Sequence, residues 1–320
     1  MKGIFTISFL LISIFGYSQD YNFKPQWKQG DVKAITIAQV ERNYEDDKLI
    51  SDTTIYNDAR IEVLKDNKDS YTLEILMENQ ALRAAKEFYD KLGDDLLDYR
   101  DLKLIYSVNK VTAELELQNW EDAQKFMNNS FDQISSVLEN KAPEVAPFIG
   151  MVFMPLKEIF KSRENIEAYM KDNIGYILTP FNKAFEVGQT ITTTETGDNP
   201  FNPMQEISVT TLLTLESINQ EENTCTINQK VELDLSEFIE MMKGMMQKMS
   251  ESFGANDSIT AEKSKEMDEF EMDIENLQVI TFDYKTTWVT KVVGKGIVSG
   301  TDPKDGTKTK KEIITTTTIK

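Results

Sequence analysis

Histidine is absent from this 320-residue sequence, and cysteine occurs once, at Cys225. The first absence removes the commonest general base and the commonest metal ligand together. The second rules out an internal disulfide. Arginine is scarce, with five among the 35 basic residues, against 54 acidic ones. A net charge of −19 leaves no basic footprint for nucleic acid. It also disfavours anionic membranes and phosphate-rich partners. Beyond residue 18 no apolar run approaches the roughly 20 residues that a membrane helix needs, so an integral helical membrane protein is not expected. Gly294-Lys295-Gly296 lacks the rest of a phosphate-binding loop. Carboxylate pairs, which serve glycosidases, are inevitable among 54 acids and so single out nothing. The chain is read as non-enzymatic, with no catalytic residue, no metal site and no cofactor.

The N-terminus carries the most specific signal. Lys2 precedes an apolar run from Gly3 to Phe15, and Gly16-Tyr17-Ser18 supplies small residues where a signal peptidase reads. Residues 1–18 are expected to be a secretory signal peptide, cleaved between Ser18 and Gln19. The product would be exported, to the periplasm or beyond the cell. No Cys follows the run, so no lipid anchor is expected.

What remains, 19–320, reads as a single β-rich domain. Alternation of apolar and polar residues over short stretches marks strands. Ile55, Ala59, Ile61 and Val63 share one face, opposite Tyr56, Asp58, Arg60 and Glu62. Tyr71, Leu73, Ile75 and Met77 repeat the device, as do Leu104, Tyr106 and Val108. Asn109-Lys110 is expected to be a tight turn into Val111, Ala113, Leu115 and Leu117. Cys225, Ile227, Val231 and Leu233 follow the same rule, and 277–320 reads as three strands. Helical spacing appears at 80–97, at 236–249, and after Asn119, which suits a helix N-cap. Ser162 suits a second cap. The expected class is α+β. It is a large curved antiparallel sheet of about eleven strands, half-barrel or barrel-like, with helices inserted in the strand connections. A sheet this large curls or splits rather than staying flat.

The second half echoes the first. Phe185-Glu186-Val187-Gly188 resembles Trp27-Lys28-Gln29-Gly30, and a Thr- and Ile-rich strand follows each. Two pseudo-repeats, at about 27–142 and 185–320, are joined by a helical segment at 143–184 in this reading. The alternative is that meander hairpins simply look alike. In this pattern the chain resembles the unclosed β-barrels of periplasmic lipoprotein carriers, whose helices lie against the concave face. It also resembles the secreted, functionally uncharacterised β-rich proteins of Bacteroidota. Both resemblances rest on pattern and imply no catalytic residue.

One candidate site stands out. Phe238, Met241, Met242, Met245 and Met249 fall on one helical face. Such a stripe packs as core, or it offers an adaptable surface to an apolar ligand. The acidic clusters at Asp94, Asp95, Asp98 and Asp101, and at Glu266, Asp268, Glu269, Glu271 and Asp273, lack calcium-loop spacing. They read as solvated faces. The expected function is an exported binding or carrier protein, whose apolar concavity takes an apolar ligand or lipid under a cover of helices. The alternative is a structural or interaction protein of the cell envelope with no small-molecule ligand. Oligomeric state is not legible.

Overall fold

The computed structural model describes residues 20–77, 101–141, 157, 160–172, 174–199, 202–234, 236, 272–301 and 307–320. Among them, eleven strands form one antiparallel sheet. In chain order they are β1 (Val32–Glu45), β2 (Lys48–Asp66), β3 (Ser70–Met77), β4 (Leu102–Asn109) and β5 (Leu115–Leu117), then β6 (Thr190–Asn199), β7 (Asn202–Asn219), β8 (Thr224–Leu233), β9 (Met272–Asp283), β10 (Val289–Thr301) and β11 (Lys308–Ile319). Across the sheet the order is β5-β4-β3-β2-β1-β11-β10-β9-β8-β7-β6. Every neighbouring pair is consecutive in the chain except β1 and β11, which join the two halves at the centre. The edge strands β5 and β6 are not hydrogen-bonded to each other, so the sheet does not close.

The strands form where period-2 patterning puts apolar side chains on one face. Ile61, Val63, Tyr71, Leu73, Ile75, Leu104, Tyr106 and Val108 are buried in one half, and Cys225, Ile227, Ile280 and Phe282 in the other. All belong to one continuous core, so both halves curl toward the same interior. Burying each large apolar side chain contributes about 1.5–3 kcal/mol. On the outer face charges pair across strands, as Arg60 Nη2 does with Glu74 Oε1 at 3.3 Å.

Both described helices, α1 (Trp120–Lys141) and α2 (Arg163–Asp172), lie between β5 and β6, with a 3-10 turn at Gly175–Leu178. Helix α1 buries Ala123, Phe131 and Ile134. Asn119 sits at its start, but its side chain serves the sheet. Its Oδ1 accepts the Ile105 N–H at 2.8 Å, and its Nδ2 donates to the Lys103 carbonyl at 3.0 Å. The reason is position: β5 stops at Leu117, leaving β4 backbone groups that Asn119 reaches. Ser162 does cap α2, accepting the Asn165 N–H at 3.2 Å. The helices expected at 80–97 and 236–249 lie outside the described residues (Ser236 aside), as does the signal sequence.

The turn after β4 is longer than a two-residue hairpin. Asn109 Oδ1 accepts the N–H groups of Val111 and Thr112, and the Asn109 carbonyl accepts that of Ala113. Ala113 takes φ +58° and Val111 stays exposed, so the returning strand begins only at Leu115. An Asx side chain that bonds its own backbone ahead favours this wider turn.

The two halves share backbone detail. Gly30 at φ +87° donates to the Val63 carbonyl, and Gly188 at φ +80° donates to the Leu215 carbonyl, both at 2.8 Å. Positive φ is the region glycine enters without steric cost. The β2–β3 ladder shifts register just after Val63, and the β7–β8 ladder just after Leu215. Asp283 repeats the Asn109 turn. Its Oδ1 accepts from Lys285 and Thr286, its carbonyl accepts from Thr287, and Thr287 takes φ +58°.

Candidate functional site

At one end of the concave face the chain fills its own interior. Two segments, ahead of β1 and ahead of β6, cross there and pair, with the Tyr21 N–H on the Phe185 carbonyl at 2.7 Å and the Phe185 N–H on the Tyr21 carbonyl at 2.9 Å. Their aromatic side chains form a plug. Trp27 stacks on Trp288 with ring centroids 4.8 Å apart, and meets Tyr71 at 5.4 Å and Phe181 at 5.7 Å. Phe23 meets Phe282 edge-on at 4.9 Å. Asp31 ties the plug down: its Oδ2 accepts from the Trp288 indole at 3.1 Å and from the Lys28 backbone at 2.9 Å.

Moving along the strands away from the plug, the same face changes character. One cross-strand row reads Asn57, Ile37, Thr317, Val292, Ile280. The next reads Ile55, Gln39, Thr315, Gly294, Gln278, Gln229. A third places Gly296 between Ile313 and Asn276. Apolar side chains thus give way to amides and hydroxyls around two glycines in a central strand.

Those glycines are not required by the backbone, since neither has a positive φ. A Cβ at Gly294 would meet nothing nearer than 3.8 Å, and at Gly296 nothing nearer than 4.0 Å. A strand-interior glycine weakens the strand and commonly marks close approach of a ligand or another backbone. Here the space beside them is a cavity of about 450 Å³. Its described lining includes Gln39, Asn57, Gln278, Thr315, Thr317 and Tyr176. Asn57 is 6% exposed and Thr317 4%. Burial raises the Tyr176 phenol above its ordinary pKa, so it is neutral there. Lys311 lies at the rim, where its Nζ pairs with Glu41 Oε1 at 2.8 Å. That hydrogen bond holds the Glu41 carboxyl below its ordinary value.

The residues anticipated as a ligand surface, Phe238, Met241, Met242, Met245 and Met249, lie outside the described residues. Of the cavity residues, Gly294, Lys295 and Gly296 drew notice in the sequence only as an incomplete phosphate-binding loop, and the amides were not singled out. Asn57 interrupts the face read as Ile55, Ala59, Ile61 and Val63, and the Gly-x-Gly spacing in β10 was the available signal. Asp101 is exposed, and no cluster of His, Cys, Asp or Glu suited to a metal occurs among the described residues. No described helix is long and apolar enough to cross a membrane.

Cys225 is fully buried, and burial pushes its thiol up to about 12. A raised pKa means a neutral thiol well above pH 8. An Ellman reagent should therefore titrate essentially no thiol at pH 8 in the native protein, and one per chain in guanidinium. Rapid native labelling would show that β8 opens.

No protein-family model matches the chain, and no curated protein matches it. Among solved structures it is similar to Ail, the attachment invasion locus protein of Yersinia pestis. The identity is 7% and the TM-score 0.16, over 92% of this chain and 100% of that one. At that score the likeness carries no argument. The class of protein rests instead on the molecule itself: an open, curved antiparallel sheet with a plugged end and a concave cavity beside it.

Proposed function

We propose that this is an exported, non-catalytic binding or carrier protein that takes its ligand in the concave face of the sheet. The observation that carries the reading is the pair of glycines in β10. Gly294 and Gly296 stand at the centre of the sheet, face the interior and leave about 450 Å³ open beside them. That volume lies within the roughly 300–1,000 Å³ of small-molecule sites. The Met-rich segment at 236–249 serves in this reading as an adaptable cover. The open sheet suits the same reading, since it leaves the concave face accessible. The shared registers, glycine turns and Asx turns of the two halves support a duplicated unit.

A second reading, an envelope structural or interaction protein with no small ligand, draws on the aromatic plug, which fills one end without help.

Gly294→Leu separates the two. Its Cβ meets only ordinary van der Waals neighbours, so the variant is expected to fold and to fill the cavity. Native mass spectrometry of protein from its host should show a stoichiometric small-molecule adduct on the unaltered chain and none on Gly294→Leu. An unaltered chain without any adduct, whose melting temperature Gly294→Leu raises, would favour a protein with no ligand.

A further inference from the structure

We propose that the concave cavity binds a neutral saccharide rather than an acyl chain. The inference rests on the reading above, that the concave face is a binding site, and adds the chemical class of the ligand.

The argument begins with what the cavity presents. Its described lining carries four carboxamides, at Gln39, Asn57, Asn276 and Gln278, and three hydroxyls, at Tyr176, Thr315 and Thr317. Each carboxamide offers donors and an acceptor side by side, and each hydroxyl offers both. Vicinal hydroxyls of a sugar match such groups in pairs. Ile37, Val292 and Ile313 stand among them, and Tyr176 adds an aromatic ring. A pyranose has just this division, with apolar C–H faces and a polar edge.

Charge argues the same way. The described lining holds two cations and one carboxylate, Lys295, Lys311 and Glu275, and both cations are already paired, Lys295 with Glu312 at 3.2 Å and Lys311 with Glu41 at 2.8 Å. An acidic ligand gains little there.

Burial supplies the independent observation. Asn57 is 6% exposed and lines the cavity, so whatever reaches its side chain from outside must come through that cavity. A polar group is costly to cover without a hydrogen bond, so a ligand that seals the cavity over Asn57 must offer it one. An acyl chain laid over these groups would leave each of them unpaired. Every such loss lowers affinity by about tenfold or more. A peptide strand fits no better, because the β10 and β11 backbones are already committed to their ladders and only side chains remain to bind it.

The test uses the purified protein on an array of neutral and acidic oligosaccharides, with palmitate titrated in parallel. At least one neutral saccharide should bind with one-to-one stoichiometry. Asn57→Leu and Gln278→Leu should each weaken that binding by about tenfold or more. Gly294→Leu should abolish it, and all three variants should keep the melting temperature within a few degrees. Palmitate binding that Gly294→Leu abolishes, with no saccharide bound, would overturn the ligand class and leave the concave-face reading standing. Saccharide binding indifferent to all three substitutions would place the sugar elsewhere and overturn the proposal. Binding of neither probe would count against both readings.

Discussion

Trp27→Ala is expected to remove about 3–5 kcal/mol of stability, the cost of emptying a large aromatic site in a core. Trp27 is 2% exposed and touches rings from three other parts of the chain: Tyr71 of β3, Phe181 of the crossing segment, and Trp288 beside β10. Little around it can collapse, because these neighbours are held by their own ties, such as the Trp288 indole on Asp31. Its indole N–H has no partner among the described residues. Trp27→Phe therefore keeps most of the packing and removes an unpaired donor, and should cost much less. Urea unfolding of the two variants checks this. A loss below about 1 kcal/mol for Trp27→Ala would show that the plug is not core.

Deleting 308–320 should abolish cooperative unfolding altogether. Strand β11 pairs with β1 on one side and β10 on the other, and it is the ladder through which the halves meet. Its removal leaves two long strand edges and uncovers Ile35, Val292 and their neighbours, all part of the shared core. The loss is expected to exceed the roughly 5–15 kcal/mol by which a domain is stable. Calorimetry should show no sharp transition, and proteolysis should digest both halves. A truncated protein that melts sharply would mean that the plug, rather than the β1–β11 ladder, holds the halves together.

Much of the sheet was legible because strand patterning is local. Ile280 and Phe282 alternate with exposed Val279, and Tyr71, Leu73 and Ile75 are buried as their spacing implied. About eleven antiparallel strands were expected, and eleven are present among the described residues. Errors arose where a side chain had a choice of backbone partner. Asn109 spends its carboxamide on a wide turn, and Asn119 spends its own on β4. Asn109 bonds backbone two and three residues ahead, a choice among local turns, whereas Asn119 meets β4 only once the β4–β5 ladder has formed. Helix placement is confirmed in the β5–β6 connection alone, since the other two helical connections lie outside the described residues.

The cavity shows the division most clearly. Sequence alone determined that Gly294, Gly296 and Thr315 stand in strands, because period-2 patterning and turn residues are properties of a few neighbouring positions. It also determined an acidic chain without histidine, the commonest general base. Only the tertiary structure decided that β11 returns to β1, which brings Gln39 and Asn57 to within one cross-strand row of residues about 260 positions away. Only the ladder registers decided that the two glycines and the amides share one face. A register is set by all the strands at once: a slip of a single residue would turn Asn57 and Thr317 outward.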